Sequence, residues 1–324
     1  LLSINIGSTP RIDVVPGAAN FATPVKPISR FVHRWENLLK RIIENPGSHQ
    51  IGVVGAGAAG VELLLAIQFR LQKVLHELGR SSERMTFHLV SKSKQILPGF
   101  PASVRKRFEQ ILKKRNVILH RGVEATEVMD GVLLLSDATR LDLSEVLFVT
   151  AAKAATWLSD SGFEVDKNGF VKVEDTLQVF NHPEIFAAGD IADVVSHPRP
   201  KAGVFAVRQG TALSKNLRRV LLNKSPKPFN PQKLVLALVS SGDKYCVANR
   251  GAFTLGGKWL WVWKDWIDRR FINKFSVLPE MSQESTLEID PALASSGTIK
   301  EISAIAMRCG GCGAKVGSSV LNRA

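Results

Sequence analysis

The run Val53-Val54-Gly55-Ala56-Gly57-Ala58-Ala59-Gly60-Val61-Glu62-Leu63 constrains this chain more than any other segment. Gln50 to Val54 reads as a short apolar strand and Ala58 to Leu78 as a long helix, so the three glycines fall on the turn between them. Gly55 permits a tight exit from the strand, Gly57 lets backbone approach a pyrophosphate, and Gly60 lets helix and strand pack closely. The helix N-terminus then faces the phosphates, with Glu62 in the same fingerprint. A second strand, Met85 to Val90, follows the helix at the spacing of a strand-helix-strand unit in a parallel sheet. The segment predicts a dinucleotide site. Where an acid normally meets the ribose hydroxyls, the sequence has Ser91, Lys92, Ser93 and Lys94. Loss of that carboxylate removes the usual repulsion of a 2′-phosphate, so NADP and NAD both stay open.

The rest of the chain supplies the frame. An amphipathic helix over 29–44 carries Phe31, Trp35, Leu38, Leu39 and Ile42 on one stripe and stops at Asn45-Pro46-Gly47. A helix around 102–114, a strand at 117–120, a meander at 124–128, 132–135 and 140–142, and a buried strand at 145–150 follow. A loop and hairpin lead to a strand at 185–188 and a helix over 203–222. Pro226, Pro228 and Pro231 mark a seam, two short strands and an aromatic helix come next, and 279–297 reads as a linker.

A chain of 324 residues is long enough for two or three domains. With 45% hydrophobic and 22% charged residues it is neither disordered nor fibrous. No apolar run is long enough to cross a bilayer, and Leu1 to Gly7 lacks the features of a signal peptide. Only Cys246, Cys309 and Cys312 are present, which suits a reducing compartment; the expected location is cytoplasmic or peripheral to a membrane. The formal charge of +14 is spread through helices such as 105–115, without a nucleic-acid motif, and fits a solvated basic surface or a membrane-facing role.

A second specific motif is Ile185-Phe186-Ala187-Ala188-Gly189-Asp190, inside Val179 to Ala192. Here the chain resembles the pyridine nucleotide-disulfide oxidoreductase superfamily, in particular its type II NADH dehydrogenase-like members. The resemblance covers roughly residues 1–275. It implies an α/β fold with two Rossmann-like dinucleotide-binding domains, FAD and NAD(P)H as cofactors, and a quinone or other small electron acceptor. Asp190 then takes a ribityl hydroxyl of FAD, and Gly189 lets the chain approach it. Ile4-Asn5-Ile6-Gly7-Ser8-Thr9-Pro10 resembles the strand and glycine turn that precede the nicotinamide domain. Lys201-Ala202-Gly203-Val204 resembles the start of a helix aimed at the flavin pyrimidine. The first FAD fingerprint should lie well before Gly7, and its strand-helix-strand unit is missing. The implied arrangement is an FAD-domain remnant and connecting helix at 1–47, an NAD(P)-binding domain at 48–150 and a returning FAD segment at 151–225. A small α+β region at 226–280 and a linker at 281–305 follow.

Two segments point elsewhere. Trp259 to Phe271 is rich in tryptophan beside cations and suits either a lipid interface or packing on the flavin domain. The stretch from Met307 to Gly317 resembles the beginning of selenophosphate synthetase (selenide, water dikinase), whose catalytic cysteine and lysine would be Cys312 and Lys315. A Cys309/Cys312 half zinc site is the alternative. With 306–324 read as the start of such a domain, the expected function is an FAD-dependent NAD(P)H oxidoreductase module fused to that kinase. A respiratory-type NADH:quinone oxidoreductase and a non-catalytic nucleotide sensor are the other readings.

Overall fold

The computed structural model describes residues 1–276 other than Pro46 and Ala151. In chain order, the elements that position the sites are β1 (Leu2–Ile4), α1 (Ile28–Glu44), β2 (His49–Val54), α2 (Ala58–Glu77) and β3 (Met85–Ser91). They continue as α3 (Ala102–Lys114), β4 (Val117–Arg121), β5 (Glu145–Phe148), β6 (His182–Ala187), α4 (Gly203–Leu221) and α5 (Lys258–Ser276). The chain forms two compact units. One contains Leu1–Ser8, Ala154–Gln232 and the described chain from Trp266 to Ser276; the other contains Thr9–Lys153 and Lys233–Asp265.

The Thr9–Lys153 unit is built on a five-stranded sheet in the order Thr23–Pro24, β5, β2, β3, β4, with every neighbouring pair parallel. Its inner strands β2, β3 and β5 bury apolar side chains on both faces, as a parallel sheet covered on both sides requires. Phe87 and Leu89 join one core with Ile51 and Val53, and Val90 joins another with Val54 and Phe148. Helix α2 buries Val61, Leu64, Leu65, Leu71 and Leu75 at helical spacing against the first core. Each fully buried leucine contributes about 1.5–3 kcal/mol. The helix ends in a Schellman turn: Gly79 takes φ +68°, and Arg80 N–H reaches Leu75 O at 2.8 Å.

The stripe expected on α1 is present, with Leu38 and Ile42 buried and Phe31, Trp35 and Leu39 packed beside them. These residues lie on the same core as β2 and β3, so α1 packs within the Thr9–Lys153 unit. An antiparallel meander (Ala125–Met129, Val132–Leu135, Arg140–Asp142) belongs here too.

The region after the proline seam differs from the expected two strands. It has three, Ala237–Ser240, Cys246–Arg250 and Phe253–Gly257, paired antiparallel. The third ends in Gly256-Gly257 and leaves Phe253 and Leu255 exposed, so its sequence lacks the buried alternation that marks a strand.

In the unit containing Leu1–Ser8, the sheet order is β1, β6, Gln178–Val179, Val171–Val173, Ala192–Val194. Strand β1 lies parallel to β6, with Leu2, Ser3 and Ile4 opposite Ile185, Phe186 and Ala187. Pairing between β1 and β6 brings the first residues side by side with a strand from the middle of the sequence. Among the described residues no helix is long and apolar enough to cross a membrane.

Candidate functional site

The Gly55–Gly60 turn lies at the carboxyl end of β2. Gly55 has φ +118°, and a Cβ there would stand 2.3 Å from Val149 O, so only glycine fits. A Cβ on Gly60 would be 1.8 Å from Gly55 O, which explains how closely the first turn of α2 sits on the strand exit. Gly57 differs from both: its backbone is ordinary (φ −72°, ψ −178°), and an added Cβ would meet nothing within 4 Å. Its glycine requirement therefore does not come from packing inside the protein. Gly55 N–H donates to Val90 O at 2.9 Å, and Leu97 N–H to Ala56 O at 2.8 Å. These bonds fix the turn from both sides.

The turn opens onto a cleft of about 820 Å³, lined among others by Gly55, Gly57, Ser91, Lys92 and Glu124. The leading amides of α2 have no partner within the helix, so this end of the cleft is suited to an anion. Ser91 is buried and its Oγ donates to Ser93 O at 2.9 Å. Lys92 pairs with Glu124 at 2.9 Å. Glu62 points elsewhere: its carboxylate accepts Ser240 N–H at 2.6 Å and ties α2 to the strand Ala237–Ser240.

In the other unit, Gly189 takes φ +77°, and a Cβ would stand 2.6 Å from Asn5 Oδ1. Gly189 N–H donates to Gln209 Oε1 at 2.6 Å, a bond from the buried face of α4. Ser8 Oγ donates to Asp190 Oδ2 at 3.0 Å, placing the Gly7 turn (φ +74°) beside the aspartate. The half-buried Lys201 donates to Ala192 O at 2.6 Å and lies 4.2 Å from the Phe170 ring centroid. Burial lowers its pKa below the ordinary lysine value, opposed by Asp193, Asp166 and Asp190. Gly203 and Val204 form the exposed first turn of α4. A pocket includes Gly189, Asp190, Lys201, Phe205 and Gln209 among its walls.

Residues 3–210, most of the chain and both glycine sites included, match the description Pyridine nucleotide-disulphide oxidoreductase. The chain belongs to that family. Among relatives, it is 28% identical over 258 residues to the alternative NAD(P)H-ubiquinone oxidoreductase C1 (chloroplastic/mitochondrial) of Arabidopsis thaliana, covering 72% of this chain and 48% of that protein. It is 25% identical over 258 residues to a type II NADH:quinone oxidoreductase of Haemophilus influenzae, covering 70% and 57%. The chain thus spans about half the length of the curated relatives it matches. In three dimensions it is similar to the NDH2 of Plasmodium falciparum solved in complex with NADH (TM-score 0.72, 13% identity, 83% of this chain and 73% of that one). It is also similar to the sulfide:quinone oxidoreductase of Aquifex aeolicus (TM-score 0.68, 15% identity, 84% and 68%). The fold is the family's α/β Rossmann-like fold.

Within this family member, Gln209 and Glu124 are the site residues that sequence reading missed. Gln209 sits inside a segment that the sequence predicts as helix, but nothing in the sequence says that its amide turns to Gly189. Glu124 has no motif around it. Cys309, Cys312 and Lys315 lie outside the described residues. Along α5, Trp259, Val262, Trp263 and Trp266 are 40–62% exposed, while Leu260 is buried with Cys246 and Ala248 and Trp261 packs against them.

Proposed function

We propose that this chain is the nucleotide-handling part of an FAD-dependent NAD(P)H oxidoreductase that passes electrons to a quinone. The observation that carries the reading is Gly57. Gly55 and Gly60 are glycines because protein atoms crowd them, whereas Gly57 is a glycine facing open cleft, the pattern expected where a pyrophosphate takes the space. The residues present fit such a group: Gly55 and Gly60 shape the turn, the α2 amides supply donors, and Ser91 and Lys92 stand at the ribose end. Around Asp190, the Ser8 hydrogen bond and the Gln209 clamp on Gly189 hold a carboxylate in position to receive a polyol hydroxyl, which fits FAD. Bound FAD would supply the redox chemistry, taking a hydride from reduced nicotinamide and releasing electrons to an acceptor. The protein binds, orients and shields the reacting groups; no side chain need act as acid or base.

The exposed tryptophans of α5 support a peripheral seat at a lipid surface, where a quinone dissolves. The likeness of 306–324 to selenophosphate synthetase supports a fused kinase unit, and selenide-dependent ATP turnover by the full-length protein tests that part. The central reading is tested by anaerobic titration of the FAD-loaded full-length protein with NADH and NADPH, followed by a ubiquinone analogue in vesicles. Flavin absorbance should bleach and then return. Absence of bleaching overturns the oxidoreductase reading, and bleaching that quinone does not reverse removes the acceptor.

A further inference from the structure

The ribose end of the Gly55–Gly60 cleft lacks the carboxylate that ordinarily ends the second strand and accepts the adenosine ribose hydroxyls. Strand β3 ends instead on Ser91, 5% exposed, whose hydroxyl is committed to Ser93 O. The Ser91–Ser93 turn is tied to the chain that leaves β4. Val123 N–H donates to Ser91 O at 3.1 Å and Gly122 N–H to Ser93 O at 3.2 Å. Those two bonds hold Lys92 and Glu124 within ion-pair distance, 2.9 Å, as part of the lining of the same cleft as Gly55 and Gly57. Their side chains are 78% and 53% exposed, so the pair is weak and open to exchange.

A phosphate monoester carries nearly two negative charges and three strong acceptor oxygens, against one charge on a carboxylate. It is the stronger partner for Lys92. We propose that this end of the cleft reads a 2′-phosphate, so that the chain prefers NADPH to NADH. Lys92 leaves Glu124 and takes the phosphate, while Glu124 opposes the exchange by holding the lysine and repelling the incoming anion. The inference rests on the reading that the cleft binds an adenine dinucleotide and names the form it takes.

The test is calorimetric titration of the full-length protein with adenosine 2′,5′-bisphosphate and, separately, with AMP, neither of which needs bound flavin. The bisphosphate should bind about tenfold or more tighter, the scale of one charge-assisted hydrogen bond. Lys92→Ala should bring the ratio of the two affinities close to one. Glu124→Gln should raise it, since the carboxylate's competition is gone. Equal or tighter binding of AMP overturns the proposal and leaves the dinucleotide site standing. If neither nucleotide binds, the dinucleotide reading falls and this inference with it.

Discussion

Gly60 shows how much of the site is decided by single residues. With Gly55 O at 1.8 Å from any Cβ built there, Gly60→Ala must push α2 off the strand exit, because backbone rather than a flexible side chain is in the way. A destabilisation of about 1–3 kcal/mol is expected, the usual cost of overpacking. Urea unfolding measures it; an unchanged midpoint would show that the helix has slack to give. The same reasoning explains which residues the sequence reveals. Gly55 and Gly189 sit at turns with positive φ and Gly60 meets Gly55 O, so their spacing next to apolar strands is visible without coordinates. The distant atoms Val149 O and Asn5 Oδ1 that also crowd Gly55 and Gly189 are not. Gln209 and Glu124 take their positions from partners far along the chain, Gly189 and Lys92, and a local pattern holds no record of that.

Among the elements, the central sheet carries a polar row, with His88 its buried member, that no periodicity reveals. His88 on β3 is 4% exposed, its Nε2 3.0 Å from Gln50 Oε1 and its Nδ1 3.1 Å from His120 Nε2. Burial first, and then the His120 charge, push the His88 pKa down to about 4 from 6.5. Burial also lowers His120. The folded protein therefore resists protons that the unfolded chain accepts. Stability from His88 is full above pH 6.5 and is lost as the pH falls from there through about 4. Urea midpoints should decline across that window, and His88→Gln should flatten the decline; identical pH profiles for the two proteins would contradict this origin. Helix bounds such as 102–114 were legible because Val104, Phe108 and Leu112 repeat at helical spacing. The strand Phe253–Gly257 was not, because hydrogen bonding to Cys246–Arg250 rather than side-chain burial makes it a strand.

At the scale of the whole molecule, each candidate site belongs to one unit but draws on distant stretches of sequence. The Asp190 site joins Ser8 to Gly189 and Gln209. The Gly57 cleft gathers Arg11, Lys92, Glu124 and Thr150 from four parts of the chain. The fold class was readable because two motifs, each with its own strand, fixed a dinucleotide-binding plan. The remaining cleft wall was not, because it is assembled by chain crossings. The most direct measurement is NADPH binding to Gly57→Val by calorimetry, beside its thermal unfolding. Since φ −72° suits any residue and no protein atom lies within 4 Å of the new Cβ, the variant should fold, its stability lowered by no more than the roughly 1 kcal/mol that replacing a favourable N-cap costs. Its nucleotide affinity should fall by about tenfold or more, on the order of 1.4 kcal/mol or above. Retention of parental affinity in a fully folded Gly57→Val protein would mean that no pyrophosphate occupies the glycine turn.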